Sequence, residues 1–298
     1  MSISPPKDII ATFSIVGYDP EAEEWGVAVQ SKFLGVGAVV PYAKAGVGAV
    51  ATQSLANTSY GPDGLALIEK GYTAEEAIRR LVENDPDRDQ RQVGMVDRNG
   101  HAATYTGKNC YDWAGGMTGP GFAAQGNILV GKETVMAMGE TFVKSNGSLA
   151  ERLLTALAAG QRAGGDKRGR QSAALLIVKE KGGYGGYNDR ALDLRVDDHP
   201  TPIKELRRIF DLHQLYFSKS KKEDIIPITN DLKLEIVEEL LRVGYIKEET
   251  IPENDDQFYK ELTTFYHTEN FEEREQERGY IDWAVMQFLK QMSPINRG

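Results

Sequence analysis

The alternation of strand-like and helix-like segments in the first two-thirds of the chain is the feature that most restricts its fold. Between Thr12 and Val196, segments rich in β-branched and small apolar residues are interrupted twice by pairs of amphipathic segments. The order is therefore strands, two helices, strands, two helices and strands. Such an order predicts an α+β domain in which helices cover the outer faces of sheets.

The individual elements follow from local patterns. Asn99-Gly100 predicts a hairpin turn, since this pair favours the turn that joins two antiparallel strands. Thr73 with Glu76, and Ser148 with Glu151, have the spacing of capping boxes and predict two helix starts. The segments predicted as strands are 12–16, 25–32, 36–43, 47–53, 92–97, 101–106, 122–130, 173–178 and 190–196.

The character of the chain changes near residues 197–200. Gly, Ala and Val dominate before this point, and Glu, Lys, Leu and Tyr dominate after it. Thr201-Pro202 predicts the start of a helix, and further helices are predicted over 232–243 and 280–292. We therefore divide the chain into an extension (1–11), an α+β domain (12–198) and a mainly helical domain (199–298).

Composition excludes several partners. The formal charge is −9 with a pI of about 5.2, and the one short basic run lies at 167–170, so we expect no nucleic-acid partner. No apolar run reaches the roughly 20 residues that a membrane-spanning helix needs. The single cysteine excludes an intrachain disulfide, and residues 1–7 lack the pattern of a secretory signal. A cytoplasmic location is expected.

Three long motifs resemble a bacterial family of uncharacterised proteins, usually catalogued as domain of unknown function 1028. They begin at Thr12-Phe13-Ser14-Ile15-Val16, at Gly26-Val27-Ala28-Val29-Gln30 and at Gly46-Val47-Gly48-Ala49-Val50, and a fourth segment, 164–172, matches a second hallmark. The resemblance covers roughly residues 11–197. The C-terminal part, from 199–207 to 279–282, resembles a domain often attached to this family and catalogued as peptidoglycan-binding.

The family is similar in fold to N-terminal-nucleophile hydrolases, which implies a four-layer αββα sandwich. In that class, a Ser, Thr or Cys at a mature N-terminus attacks an amide carbon, and its own α-amine acts as the base. The matching position here is Thr12. Eleven residues precede it, so this chemistry requires cleavage between Ala11 and Thr12. Without that cleavage, Thr12 is an ordinary strand residue.

Four further polar residues lie near predicted strand ends. Lys32 could lower the pKa of a nearby group or hold a substrate carboxylate, or it could be a surface lysine. Gln53, Asn57 and Asn127 could donate to the oxyanion that forms during amide hydrolysis, or they could serve as ordinary turn residues.

A glycine-rich segment precedes the strand predicted at 173–178. Arg168 and Arg170 suit bidentate binding of a carboxylate or a phosphate, and Asp166 and Ser172 could orient a nucleophile. The alternative is a salt-bridged loop that only positions the strand. We predict Asp166 as catalytic, and Arg168, Arg170 and Ser172, with Asn57, as substrate-binding.

Other reactive residues lack a supporting pattern. Cys110 has no histidine near it in the sequence, and His101, His199, His213 and His267 are scattered, so we predict no metal and no cofactor. The glycines at 115–121 are predicted to form a flexible loop near the site. In the tail, Tyr259, Phe265, Tyr266 and Trp283 form either a helical core or an aromatic groove for a sugar or peptide.

Two functions follow from these residues. The first is hydrolysis of a small amide or peptide-like substrate, with Thr12, Lys32, Gln53, Asn127 and Asp166 as the catalytic set. The second is a non-catalytic binding protein on the same fold, whose C-terminal domain engages a partner or a cell-wall fragment. Under either function we expect a homo-oligomer.

Overall fold

The computed structural model describes residues 12–247 and 251–294, and the predicted extension 1–11 with its cleavage point lies outside them. The chain divides into two compact units between Arg208 and Ile209. The first unit is α+β, as predicted, and its sheets are antiparallel. The boundary at 198/199 stays a prediction.

Ten strands and four helices form the first unit in the described part of the chain. The strands are β1 (Thr12–Asp19), β2 (Glu24–Ser31), β3 (Pro41–Lys44), β4 (Gly48–Ser54), β5 (Arg91–Asp97), β6 (Ala102–Thr106), β7 (Gly115–Gly119), β8 (Phe122–Gly126), β9 (Ser172–Val178) and β10 (Arg190–Val196). The helices are α1 (Tyr60–Glu69), α2 (Ala74–Glu83), α3 (Glu133–Lys144) and α4 (Leu149–Arg162). Both predicted capping boxes, at Thr73 and at Ser148, are confirmed.

Two sheets organise these strands. One has six strands in the order β10-β9-β2-β1-β8-β7, and the other has four in the order β3-β4-β5-β6. Helices α3 and α4 pack on the larger sheet and α1 and α2 on the smaller one, while β1, β2 and β8 contact strands of the smaller sheet. An apolar cluster that includes Val16, Val29, Ala51 and Val96 fills the space between the sheets.

The alternation of side chains along β1 decides which residues face the second sheet. Val16 belongs to the cluster between the sheets, and Ser14, two residues earlier, hydrogen-bonds to Gln53 of β4. Gly26 of β2 lies on the opposite face, where an added Cβ would stand 2.9 Å from Leu153 Cδ1 of α4. Its lack of a side chain therefore lets α4 approach the sheet closely.

Three predicted elements of the first unit differ from the structure. Residues 36–43 form a 3-10 turn (Val36–Ala38) followed by β3, so that Val36 and Val40, four positions apart, both reach the core. The strand predicted at 122–130 ends at Gly126. The glycines at 115–119, predicted to be a flexible loop, form the edge strand β7, which pairs with β8 along its whole length.

Helices dominate the second unit. Helix α5 (Pro202–Phe217) begins where Thr201-Pro202 predicts it, and the division between the units falls inside it. The remaining elements are β11 (Ile225–Pro227), α6 (Asn230–Val243), α7 (Asp255–Thr268), β12 (Tyr280–Asp282) and α8 (Trp283–Gln291). The helix predicted at 280–292 is thus shorter, and its first three residues form β12. Asp282 caps α8 by accepting from the amide of Ala284, so the helix begins at Trp283.

The core of the second unit combines aliphatic and aromatic residues. Phe265 and Tyr266 are buried in it with Phe258 and Phe271, whereas Trp283 is 42% exposed. Of the four aromatic residues singled out in the sequence, Phe265 and Tyr266 are thus buried, Tyr259 is partly buried and Trp283 is exposed. In the stretches 12–247 and 251–294, every helix is too short or too polar to span a lipid bilayer.

Candidate functional site

Thr12 stands at the first position of β1, at one end of the six-stranded sheet, and its side chain is fully buried. Its hydroxyl donates to Ser31 Oγ at 3.1 Å, across the pair that joins β1 to β2. Its carbonyl oxygen accepts from the amide nitrogen of Asn127 at 3.0 Å and from Gln53 Nε2 at 3.3 Å. Thr12 is thus held by three neighbouring segments of the chain.

Buried side-chain amides connect the two sheets beside Thr12. Ser14 Oγ donates to Gln53 Oε1 at 2.6 Å and accepts from Gln125 Nε2 at 2.7 Å. Gln92 Oε1 accepts from Gln53 Nε2 at 2.8 Å and from Asn127 Nδ2 at 3.0 Å. We call Ser14, Gln53, Gln92, Gln125 and Asn127 the amide network; all five are 0% exposed.

The amide network holds the strand ends in place. The Nε2 group of Gln53 lies near three acceptors of the protein itself, on Thr12, Gln92 and Gln125. A donor that is bound in this way fixes the backbone of Thr12, and it must exchange partners before it can bind an oxyanion. The arrangement is therefore well suited to orienting Thr12.

Asp166 organises the glycine-rich loop next to this site. Its Oδ2 accepts from the amide nitrogen of Lys32 and from Arg168 Nη2, both at 3.0 Å, and its Oδ1 accepts from the amide nitrogen of Arg168 at 2.9 Å. The carboxylate is fully buried, and the Lys32 side chain is exposed to solvent. Asp166 therefore ties the loop to the end of β2.

The side chains of Ser172 and Arg170 have different surroundings. The Ser172 hydroxyl donates to the carbonyl of Phe33 at 2.5 Å and accepts from the amide of Val36 at 3.1 Å, so it fastens the turn after β2. Ser172 also pairs with Ser31 in the sheet. Arg170 is exposed and lines a groove beside α4.

Most of the predicted site residues converge on one end of the larger sheet. Seven of them are linked by hydrogen bonds and strand pairing, in part through Ser31 and through the β-bridge between Leu129 and Asp166. These seven are Thr12, Lys32, Gln53, Asn127, Asp166, Arg168 and Ser172. Asn57 and Arg170 do not join this set by a bond to Thr12 or to the amide network in the described structure.

Asn57 belongs to a second polar cluster around Asp85. Asp85 Oδ2 accepts from Tyr60 and from Arg91 Nε, both at 2.9 Å, and from Asn57 Nδ2 at 3.4 Å. Burial acts to raise the pKa of Asp85, but the hydrogen bonds from Arg91, the Asp87 amide, Tyr60 and Asn57 outweigh it and lower the pKa to about 2. A cavity of about 580 Å³ lies beside Asn57, Tyr60 and Asp85.

Cys110 lacks the surroundings of a reactive thiol. It is 9% exposed, and its sulfur contacts the carbonyl of Arg91 at 3.4 Å. Burial raises the pKa of the thiol, which keeps it protonated near neutral pH. Within the described residues, no three His, Cys, Asp or Glu side chains group together as metal ligands.

Ser14, Ser31, Gln92 and Gln125 also contact the site, and the sequence patterns did not predict them. Each is a polar residue in a buried strand, as Gln125 is after Phe122-Ala123-Ala124. A polar residue within a buried strand needs a hydrogen-bond partner, so such positions could have been selected as candidates. Their mutual contacts depend on the packing of one sheet on the other.

Comparisons with known proteins agree with this architecture. Residues 12–206 match the model described as "Family of unknown function (DUF1028)", and residues 216–289 match the one described as "Putative peptidoglycan binding domain". The two matches confirm the order of the two parts. No curated protein matches the chain.

Two solved structures are similar to the chain. A DUF1028 protein from Silicibacter pomeroyi is 31% identical, with a TM-score of 0.62 over 68% of this chain and 89% of that one. The Anbu (ancestral beta-subunit) protein from Yersinia bercovieri is 10% identical over 67% of this chain and 94% of that one, and its TM-score of 0.31 is too low to support an argument. On the family match and the first of these structures, the chain belongs to the family of unknown function DUF1028.

Proposed function

We propose that residues 12–198 form an N-terminal-nucleophile hydrolase domain that cleaves an amide bond, with Thr12 as nucleophile after cleavage between Ala11 and Thr12. In this proposal, the two packed sheets and their outer helix pairs are the four layers of an αββα sandwich. The observation that carries it is the position of Thr12 at the start of β1, where Ser31, Gln53 and Asn127 hold its hydroxyl and carbonyl.

The proposed reaction uses the α-amine that cleavage would release on Thr12. This amine, with a pKa of about 7.7–8.0, accepts the hydroxyl proton as Oγ1 attacks the carbonyl carbon of a small amide or peptide-like substrate. Gln53 or Asn127 donates to the oxyanion. The proton then passes to the leaving amine, and water hydrolyses the ester on Thr12.

The remaining residues act on the substrate in this proposal. Lys32 or Arg168 holds a substrate carboxylate, and Asn57, Arg170 and Ser172 contribute further contacts. Arg168 must exchange its ion pair with Asp166 for one with the substrate, since the two side chains lie 3.0 Å apart. Asp166 acts by positioning Lys32 and Arg168, through the bonds that it accepts from both.

A chain that begins at Thr12 tests the proposal. It can be released from an N-terminal fusion by a protease that leaves no extra residue, and assayed on acyl 4-nitroanilides and N-acylated dipeptides. We expect turnover that rises as the pH passes about 8, because only the neutral amine accepts a proton. Intact-mass measurement of the full chain shows whether cleavage before Thr12 occurs unaided.

Matched variants make this test decisive. Thr12→Ser at the same N-terminus should retain turnover, and Thr12→Ala should abolish it. Equal turnover by the Thr12→Ala protein would assign the activity to another residue. If neither the chain that begins at Thr12 nor its Thr12→Ser variant turned over any substrate class tested, that result would count against an amide hydrolase of this type.

The second candidate is a binding protein whose C-terminal domain takes up a cell-wall fragment. The match of residues 216–289 to a peptidoglycan-binding model favours it. A groove of about 420 Å³ in this unit supports it further, since Tyr259 and Tyr280 line it together with Asp256, Glu275 and Arg278. Aromatic faces beside charged groups suit a ligand with both apolar and hydrogen-bonding surfaces.

Sedimentation with insoluble peptidoglycan tests this candidate. The full chain should co-sediment, and the double variant Tyr259→Ala/Tyr280→Ala should stay in solution. Tyr187→Ala is the control, because Tyr187 is 91% exposed and lies in the first unit. Equal retention of all three proteins would remove the groove from the proposal.

Self-association is a separate proposal that applies to both candidates. We propose that the chain forms a homo-oligomer, as expected from its resemblance to assemblies of this fold. Light scattering over a range of protein concentrations should give a mass above that of one 32.9 kDa chain. A strict monomer at all concentrations would contradict it.

A further inference from the structure

A groove of about 370 Å³ runs between the C-terminal half of α4 and the start of α5, entirely within the first unit. Its floor is apolar: Leu154 and Ile203 are 1% and 8% exposed, and Ala158 also lines the groove. We call this surface the α4–α5 groove. Its volume lies at the lower end of the range of about 300–1,000 Å³ that small-molecule sites occupy.

The rim of the α4–α5 groove is cationic. Arg162, Arg170 and Lys204 line it, each is exposed, and no Asp or Glu contributes to the lining. None of these three has a carboxylate within ion-pair distance in the described ranges, whereas exposed cations elsewhere, such as Lys44 and Arg208, do pair with a carboxylate. The lining is therefore locally basic although the formal charge of the chain is −9.

A neighbouring depression extends the positive surface. Lys167 and Arg168 line it, and it shares Arg162, Arg170 and Gln161 with the groove. Asp166 also lines this depression, but its carboxylate is buried and is paired with Arg168.

We propose that the α4–α5 groove binds a small amphipathic carboxylate, with its apolar body on Leu154, Ala158 and Ile203 and its anionic head on Arg162, Arg170 and Lys204. Charge complementarity decides the sign of the head group, because every ionisable side chain that lines the groove is basic. The apolar floor accounts for the body. Arg170 is also one of the substrate contacts proposed above, but the two proposals are tested separately, since binding of the carboxylate requires no cleavage before Thr12.

Binding of dodecanoate below its micelle concentration, measured by isothermal titration calorimetry with the full chain, tests the proposal. Dodecan-1-ol and acetate serve as probes that lack the head or the body. We expect dodecanoate to bind at least about tenfold more tightly than either, because a charge-assisted contact and apolar burial are each worth about that factor or more. Raising the salt concentration should weaken dodecanoate binding.

Charge reversal on the rim of the groove is the second part of the test. Arg170→Glu/Lys204→Glu should lower the affinity for dodecanoate by about tenfold to a hundredfold, and since both residues are exposed, the fold should survive. Lys144→Glu is the matched control, because this lysine is exposed on α3 and does not line the groove. The affinity of the Lys144→Glu protein for dodecanoate should equal that of the unaltered chain.

Several results would overturn the proposal. They are the absence of dodecanoate binding, equal affinity for dodecanoate and dodecan-1-ol, equal affinity for dodecanoate and acetate, and unchanged affinity in the charge-reversed protein. Failure of the Thr12 assays leaves this proposal intact, and loss of dodecanoate binding leaves the Thr12 proposal intact. The two proposals therefore fail separately.

Discussion

At the scale of single residues, two buried glutamines of the first unit, Gln53 and Gln30, differ in their hydrogen bonding. Gln53 donates and accepts within the amide network, between Ser14, Thr12 and Gln92. Gln53→Leu removes these bonds and leaves the Ser14 hydroxyl without its acceptor. We expect a loss of about 2–3 kcal/mol in the free energy of unfolding, measured by urea denaturation.

Gln30 provides the control for this prediction. It is also 0% exposed, yet neither atom of its side-chain amide has a hydrogen-bond partner among the residues described. Gln30→Leu should therefore leave the stability unchanged or raise it by about 1 kcal/mol, since an unsatisfied buried amide is replaced by an apolar group of similar size. Equal losses in both variants would show that the hydrogen bonds of Gln53 are not the cause.

Asp85 gives the fold a pH dependence. Its pKa is lowered from the usual value of 3.8 to about 2, because hydrogen bonds from Arg91, the Asp87 amide, Tyr60 and Asn57 outweigh the effect of burial. A lowered pKa means that the folded state favours the carboxylate. The resulting stability, about 1–2 kcal/mol, is present above about pH 4 and is lost as the pH falls towards about 2.

The variant Asp85→Asn tests this dependence. It should lower the free energy of unfolding at about pH 7, and the loss relative to the unaltered chain should shrink between about pH 4 and pH 2. Asp87→Asn is the matched control, because Asp87 also pairs with Arg91 but has a side chain that is 60% exposed. A difference between the unaltered chain and Asp85→Asn that stays constant through this acid range would contradict the assignment.

The sequence identifies the residues of the site better than their contacts. Gln53 and Asn127 are candidates because they are polar residues near predicted strand ends, and Thr12 is a candidate because the family resemblance implies it. The three residues do lie together. Ser31 and Gln92 were missed, since their importance comes from the register of β1 on β2 and from the contact between the two sheets. Neither relation leaves a local pattern in the sequence.

At the scale of elements, the contact between β5 and β8 depends on one glycine. A Cβ added at Gly94 would lie 1.9 Å from Gln125 Oε1, so the Gln125 side chain occupies the space that a larger residue would need. Gly94→Ala should lower the free energy of unfolding by about 1–3 kcal/mol through overpacking. Chemical denaturation of the purified variant measures this loss.

A double-mutant cycle identifies the cause. Gln125→Ala removes the clashing atoms, together with the bond from Gln125 Nε2 to Ser14, and so has a cost of its own. In that background, Gly94→Ala should be nearly neutral, which appears as a coupling of about 1 kcal/mol or more between the two positions. Strictly additive losses would mean that Gly94 matters for another reason, such as its strand conformation.

Element type follows from local patterns, and element ends depend on packing. The capping boxes at Thr73 and Ser148 predict the starts of α2 and α4, because a cap is a contact between residues three apart. The predictions for residues 36–43 and 115–119 are wrong. The apolar run at 36–43 does not show whether Val36 and Val40 reach the core from a strand or from a turn. The glycines at 115–119 predict a flexible loop, yet they form β7, which pairs with β8 along its whole length.

At the scale of the whole molecule, the chain has two separate sets of core residues. The first unit packs its sheets around residues such as Val29 and Ala51, and its helices cover the outer faces with residues such as Phe142. The second unit builds its core from aliphatic residues such as Leu240 and aromatic residues such as Phe258 and Phe265. Separate cores of this kind are the basis on which domains unfold as independent units.

Paired substitutions test that independence. Phe265 is 0% exposed and packs edge-on against Tyr245 at a centroid distance of 5.2 Å, so Phe265→Ala should destabilise the second unit by about 3–5 kcal/mol. Hydrogen exchange followed by mass spectrometry should show faster exchange in α6 and α7 and unchanged protection in β1 and β5. Phe142→Ala, at a residue that is 1% exposed in the first unit, should give the opposite pattern. Loss of protection in both units after either substitution would mean that α5, which crosses the division at Arg208, couples their unfolding into a single transition.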